Sequence, residues 1–433
     1  MGGAYAAKEL ASTMQQTDTP ERFRRKAIQP EEAQQTILDH IRVLGAETVS
    51  LHEAWDRHLA ETLIAPHPFP PFRRSGMDGY ALRTADLEHA RPDGPAELAV
   101  LENLPGGTEP KHPIGPGQAS RIMTGGMVPE GADAVVMLEM TSSGDREGRA
   151  YVEIGKSVPR GANISEIGSE IREGEKLLPA GQRIGAGESA VLASCGCARV
   201  AVSRRPRVAI LSTGSELLEV DEPLAPAKIR NSNSPMLAAL VREFGAEPIL
   251  LGKVPDDAEA AGKLVRGTLA ESDLLLTTGG VSVGDYDVMV DILAQPDVKL
   301  LFNKIAMRPG SPTSAALFGD KLVLALSGNP GACFVGFHLF AVPALRRMLG
   351  TERPLHPSFT ACLGEDFPKV NAYRRYIRAS AEIRDGQVWV TPTGDDKSSL
   401  MTTIVGADCL IEIPPLKEGL KRGHPVKAWK ISR

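Results

Sequence analysis

Only five cysteines occur in 433 residues, Cys195, Cys197, Cys333, Cys362 and Cys409, and none form a C-x-x-C pair. An odd count without paired spacing argues against a disulfide scaffold and suits a reducing compartment. The near pair Cys195-Gly196-Cys197 reads as two small residues packed in a core, and no metal site is assigned to it. Basic excess is lacking too. A net charge of -5 sets up no field that would gather DNA or RNA. Long apolar runs are also missing. No signal-peptide-like stretch stands in residues 1–27, and the apolar segment 332–345 is interrupted by His338 and Pro343. The expectation is a cytoplasmic protein that neither spans nor crosses a membrane. Residues 1–27, rich in Gln, Thr and charges, read as a loosely ordered extension.

What is present is an ordinary globular composition, 42 % apolar and 24 % charged, with length for about three domains. Over 29–63 the pattern reads as helical: Pro30-Glu31-Glu32 is a start, Ala33, Ile37, Ile41 and Val43-Leu44 form a stripe, and a second helix is expected from Leu51. Pro66, Pro68, Pro70 and Pro71 then stiffen a connection into short β-like runs broken by Gly and Pro. The expected domains are an N-terminal mixed domain (28–65 with 169–204), an inserted β-rich domain (66–168), an α/β domain (205–350) and a C-terminal β domain or barrel (351–433). Candidate strands of the last are Arg375-Tyr376-Ile377-Arg378-Ala379, Val388-Trp389-Val390-Thr391 and 409–413.

From Arg207 strands and helices alternate. Val208-Ala209-Ile210-Leu211 is wholly apolar, as a strand buried on both faces would be. A helix from Ser234-Pro235 carries Met236, Leu237, Leu240, Val241 and Phe244 on one face and stops at Gly245. Strands at 249–251, 274–276 and 322–326 each lead through a polar loop to a helix. Repeated β-loop-α units imply a doubly wound, mainly parallel sheet whose post-strand loops share one edge.

In such a sheet ligands lie outside the carboxyl ends of the strands. The loops there bring Glu216, Asp256, Asp257, Asp285 and Asp287 together with Gly279, Gly280, Gly328 and Asn329. Glycine allows close approach of N–H groups to phosphate oxygens, and carboxylates suit magnesium. Asp257 and Asp287, just before helical runs, also read as helix caps, but five carboxylates on one edge would repel without a counter-ion. Lys304, Arg308 and the loop Met307-Arg308-Pro309-Gly310-Ser311-Pro312 add cations at the same edge, and for Lys304 a solvated surface reads equally well from pattern alone. In the β-rich segment Met77-Asp78-Gly79 fits a hairpin turn and Thr124-Gly125-Gly126 another.

Five motifs in the same order shift that balance: Ser75-Gly76-Met77-Asp78-Gly79-Tyr80-Ala81; Met123-Thr124-Gly125-Gly126 with Pro129-Glu130-Gly131-Ala132-Asp133; Ser212-Thr213-Gly214-Ser215-Glu216-Leu217; Thr278-Gly279-Gly280-Val281-Ser282-Val283-Gly284; and Ser327-Gly328-Asn329-Pro330. From about residue 28 onward the chain resembles the MoeA family of molybdopterin molybdenumtransferases, which includes the gephyrin E domain. The resemblance implies a multidomain α/β fold in four parts, one of them a molybdopterin-binding sheet domain, and an elongated homodimer. It also implies an activity: adenylylated molybdopterin receives molybdate at its dithiolene and AMP is released with Mg2+ as helper ion. The site is expected between the sheet domain of one subunit and the β-rich domain of the other.

Carried over by motif, Asp78 and Thr124 come from the partner subunit. Glu216, Asp257 and Asp287 are the acidic, metal-holding group. Lys304 and Arg308 hold molybdate or phosphate oxygens. Gly279, Gly280, Ser282, Ser327 and Asn329 lie on the substrate side, and Arg378 and Ser398 close the site from the C-terminal domain. Transient contact with other cofactor-synthesis proteins is also compatible. The sequence departs from the family pattern, which usually has lysine where Arg308 and Ser311 stand, aspartate where Asn231 stands, and a G-E-D-I-like motif at Gly168-Ser169-Glu170-Ile171. Arginine keeps the charge but changes its geometry, whereas Ser311 loses it. A tungstate-handling paralogue, a molybdopterin adenylyltransferase sharing the Thr-Gly-Gly type of loop, and a noncatalytic scaffold remain as alternative readings.

Overall fold

The computed structural model describes residues 26–253, 258–280, 288–293, 295–370 and 372–432. They form two compact units. One comprises the residues up to Glu61, Ala180–Ala186 and the residues from Arg199 onward; the other comprises Thr62–Pro179 and Gly187–Ala198. Among the described residues no helix is long and apolar enough to cross a membrane.

The first unit is built on a six-stranded sheet: β1 (Arg207–Ser212), β2 (Glu247–Lys253), β3 (Leu274–Thr278), β4 (Val298–Phe302), β5 (Ser314–Phe318) and β6 (Lys321–Leu326), in spatial order β2-β1-β3-β6-β5-β4. β2, β1, β3 and β6 run parallel, and β5 and β4 add an antiparallel edge. The mainly parallel sheet is as expected. The antiparallel pair was not legible, because 298–318 has no clean alternation of its own.

Alternation along each parallel strand sends side chains to both faces. Val208, Ile210, Leu274, Leu276, Leu322 and Leu324 join one core with α1 (Asn233–Glu243) and the helix Pro30–Asp39. Ala209, Leu211, Leu275, Val323 and Ala325 join another with α2 (Ala258–Glu271) and α3 (Val288–Leu293). Burial on both faces is why these strands read as unbroken apolar runs.

The final helical stretch runs from α4 (Pro330–Gly336) through a π-helical turn (Phe337–Ala341) into α5 (Val342–Met348). Pro343 brings no N–H to serve the Leu339 carbonyl, and the buried Gln34 side chain supplies one instead at 3.0 Å. One proline is thereby accommodated by a side chain some three hundred positions earlier in the chain.

The helical reading of 29–63 is corrected. The helix ends at Asp39; Ala46–Ser50 is a strand paired antiparallel with Arg199–Ser203, and a single tight turn at Leu51–Glu53 carries a capping box from Ser50 and Glu53. The stripe at Val43-Leu44 misled because Glu47-Thr48-Val49-Ser50 finds a strand partner far along the chain, and pairing outweighs local periodicity.

Beyond Gly350, strands Ser358–Leu363, Arg374–Arg384, Gln387–Pro392, Cys409–Ile413 and Pro425–Lys430 pair in a closed cycle, a small five-stranded barrel around Leu363, Ile377, Val390, Ile411 and Ala428. The second unit carries its own six-stranded sheet. Within it Gly79 opens the strand Gly79–Leu82 between Gln118–Ile122 and Ala134–Met137. A Cβ there would stand 2.0 Å from the Val136 carbonyl oxygen. Glycine at this position therefore answers a close backbone approach, and the hairpin expected at Met77-Asp78-Gly79 does not form.

Against the first core lies a buried histidine pair, His338 Nδ1 to His356 Nε2 at 3.3 Å, packed among Phe244, Phe334 and Phe337. Burial, the neighbouring histidine and Arg346 push His338 well below the usual 6.5, and burial with Arg346 pushes His356 to about 3. The unfolded chain binds these protons first, so stability is full above pH 6.5 and falls as pH drops below it. Denaturant titrations should show lower stability at pH 5.5 than at pH 7.5, by on the order of 1 kcal/mol or more for the pair. A His356→Phe variant should flatten that dependence; an unchanged slope in the variant would refute the assignment.

Candidate active site

The parallel order β2-β1-β3 means that the chain leaves β1 toward one neighbour and reaches β3 on the other side. Their carboxyl ends thus flank a switch point, where the loops part and leave a crevice. A cleft of about 1800 Å³ opens there. Gly279, Gly280, Ser327, Asn329, Glu216 and Arg308 all line it, and Ser398 lines it from the barrel domain.

Its floor is held by a polar lattice. Asn231 Nδ2 donates to Ser212 Oγ and Ser234 Oγ, both at 2.9 Å, and its Oδ1 accepts the Ser234 N–H at 3.1 Å. Asn233 Nδ2 donates to Thr278 Oγ1 at 2.7 Å and to the Gly328 carbonyl at 2.8 Å, while Thr278 Oγ1 donates to the Ser327 carbonyl at 3.2 Å. Three strand-end loops are tied together through the start of α1. Gly279 and Gly280 have φ of +88° and +62°, and a Cβ on either would come within 2.7 Å of Thr213 Oγ1. They permit both the turn and the packing of the β1 loop onto it. The Gly279 N–H donates to the Leu326 carbonyl at 3.1 Å, so it serves the sheet rather than an incoming anion.

Glu216 is exposed on the cleft rim, and its carboxylate has no side-chain partner among the described residues. Asp257, Asp287 and Ser282, with Asp256 and Asp285, lie outside the described residues. No group of three metal-ligating side chains occurs among the described ones. Lys304 sits on the connection after β4, where its carbonyl accepts the Ile28 N–H, and it is not part of the cleft lining. Ser311 turns its hydroxyl to the Ile305 carbonyl at 2.8 Å, bracing the loop that bears Arg308.

The barrel domain supplies the opposite wall. Gly331 N–H donates to the Ser398 carbonyl at 2.8 Å, and Asn329 Nδ2 donates to Ser398 Oγ at 3.2 Å, joining that wall to the start of α4. Arg378 is 2 % exposed and lies beneath the wall, with Nε to Thr403 Oγ1 at 2.8 Å and Nη2 to the Lys397 carbonyl at 3.1 Å. It braces the backbone behind Ser398 and does not itself line the cleft. Sequence reasoning missed Asn233, Lys369, Arg375 and Asp396, which do line it. Two signals were available: the polar triplet Asn231-Ser232-Asn233 ahead of an apolar helix, and the run Asp395-Asp396-Lys397-Ser398 between barrel strands.

In the second unit the two β-rich motifs meet. The Thr124 N–H and hydroxyl both donate to Asp78 Oδ1, at 2.6 and 2.7 Å. The Thr124 backbone and side-chain bonds hold the Asp78 carboxyl below the usual carboxylate range, with Arg121 adding to the effect.

Three stretches of the chain match known family models. Residues 28–196 match the MoeA N-terminal region (domain I and II), residues 209–347 a probable molybdopterin binding domain, and residues 360–431 the MoeA C-terminal region (domain IV). The molybdopterin molybdenumtransferase of Bacillus subtilis (strain 168) is 40 % identical over 385 residues, 89 % of this chain and 90 % of that one. The chain belongs to the MoeA family. Another member, from Staphylococcus aureus (strain MRSA252), is 39 % identical over 93 % of this chain and 95 % of its own. The crystal structure of the MoeA protein of molybdopterin biosynthesis from Pyrococcus horikoshii OT3 superposes with a TM-score of 0.80 at 32 % identity, covering 94 % of this chain and all of that one. The MoeA fold anticipated from the motifs is therefore the fold found.

Asp78 clamps the Thr124 turn from outside, so Asp78→Ala should release it. Amide exchange at Thr124 should rise at least about tenfold with little change in the circular dichroism spectrum. Unaltered protection of that amide would remove the clamp from the account.

Proposed function

We propose that this chain is a molybdopterin molybdenumtransferase, inserting molybdate into adenylylated molybdopterin with release of AMP to give molybdenum cofactor. The observation that carries the reading is the cleft itself: a glycine and hydroxyl floor at a switch point, faced by the cations Arg308, Lys369 and Arg375. A substrate with a phosphoanhydride and a heteroaromatic pterin of polar edges, joined by an oxyanion, needs those two kinds of wall, hydrogen-bonding groups for the ring edges and cations for the anions.

Glu216, exposed and without a side-chain partner among the described residues, fits a magnesium ligand, and Asp257 and Asp287 would complete the set as the family resemblance implies. When bound, magnesium supplies polarisation of the phosphoanhydride that joins molybdopterin to AMP. The chain's own residues do the remainder. Arg308 offers a planar donor fork to molybdate or phosphate oxygens, which lysine could meet only as a point charge. Ser327, Asn329 and Ser398 offer hydroxyl and amide groups along the same wall. No side chain need form a covalent bond with substrate.

The same reading includes a cytoplasmic homodimer in which Asp78 and Thr124 of a second copy complete each site. Incubation with adenylylated molybdopterin, magnesium and molybdate should release AMP. Adenylyl transfer from ATP to free molybdopterin, without molybdate-dependent AMP, would instead mark an adenylyltransferase; no turnover at all would mark a scaffold. Running the assay with tungstate in place of molybdate tests the effect of Arg308 and Ser311. Glu216→Ala should lower turnover by about a hundredfold or more in a folded dimer. Mixing Glu216→Ala with an inactive Asp78→Ala should recover roughly a quarter of wild-type activity, because random dimers then include one intact shared site. Absence of recovery would refute the shared arrangement.

A further inference from the structure

We propose that Asp396 is a positioning residue for the oxyanion substrate: it holds Arg375 and Lys369 beside Arg308, leaving a cationic cluster that the incoming tetrahedral oxyanion completes. The inference rests on the proposed activity and adds to it a residue and a direction of effect. Three observations carry it.

The first is register. Met307–Arg308 pairs in parallel with Arg374–Arg384, placing Arg308 directly against Arg375. Neighbouring strands lie about 4.8 Å apart, so two guanidinium-bearing residues share one stretch of the cleft lining. Like charges side by side are unfavourable without an anion between or beside them. Arg308 is exposed and lies over the Tyr373 ring at 5.8 Å, with no carboxylate partner among the described residues. Its counter-charge is the part left to a ligand.

The second is the dependence of the wall on Asp396. That carboxylate bonds Arg375 through Nη1 and Lys369 through Nζ. The Arg375 Nε is buried without a partner among the described residues, so the orientation of its guanidinium rests on the Asp396 contact. Lys369 also reaches Asp395 at 3.2 Å.

The third is that Asp396 is itself fixed. Its side chain is 9 % exposed, and Arg378 grips the carbonyls on both sides of it, Lys397 at 3.1 Å and Asp395 at 3.4 Å. The buried arginine thus sets the loop, the loop sets the carboxylate, and the carboxylate sets two cations.

The sign of one substitution separates positioning from plain electrostatics. Asp396→Asn removes a negative charge from the wall, so Coulomb attraction alone would tighten anion binding. Loss of positioning would weaken it. In the molybdate-dependent AMP-release assay, Asp396→Asn should raise KM for molybdate about tenfold, with kcat at saturating molybdate within about twofold, and Asp396→Glu should recover part of the loss. An unchanged or lowered KM in folded Asp396→Asn overturns the proposal. So does a fall in kcat alone. If Asp396→Asn does not fold, Lys369→Met replaces it: KM for molybdate should rise about threefold, and no rise overturns the proposal. Should wild-type protein show no molybdate-dependent AMP release, the functional reading fails by itself. Calorimetric titration with molybdate alone then decides the positioning role, which falls if Asp396→Asn binds as tightly as wild type.

Discussion

Strand β1 is buried on both faces and hydrogen-bonded along both edges, and the rest of the first unit is arranged around that constraint. A strand so enclosed must be apolar throughout, as Val208-Ala209-Ile210-Leu211 is, and it can receive helices on both sides of the sheet. Because the strands that follow it, β2 and β3, lie on opposite sides of it, the connections at its carboxyl end part and leave that end uncovered. A crevice at Ser212-Thr213-Gly214 follows from connectivity before any side chain is considered.

Side chains then turn the crevice into a shaped site. Asn231 and Asn233 use their amide groups to join loops that are distant in sequence, and Arg378 does the same for the barrel wall. These are buried polar groups, and each is costly to bury unless its hydrogen bonds are made. The same cost makes them effective at fixing one arrangement of the loops. Ser311 and Asn231 have local roles on this view: Ser311 braces its own loop, and the Asn231 amide donates to two hydroxyls, which a carboxylate could not do.

Much of the fold was legible where local pattern and tertiary burial agree. The α/β alternation, the helix reaching Gly245 and the barrel strands near Arg375, Val388 and Cys409 were read from runs whose character matched their final environment. Reading failed where a partner lay far along the chain. Ala46–Ser50 looked helical because its partner, Arg199–Ser203, is invisible locally, and β4 and β5 were passed over because 298–318 carries no clean alternation of its own. For the site, the glycines, Glu216, Arg308 and Ser398 were found through motifs, while Lys369, Arg375 and Asp396 stand in no motif and were not.

The sequence by itself determined which strands would be central, where their loops would gather and, through motif order, the family. Those properties depend on residue type and short-range spacing. Only the tertiary structure decided that Arg378 lies beneath the cleft wall, that Lys304 stands outside its lining, and that Arg308 and Arg375 stand side by side. Contacts between residues far apart in the chain depend on how loops and strands are brought together, and no local preference of either partner records that meeting.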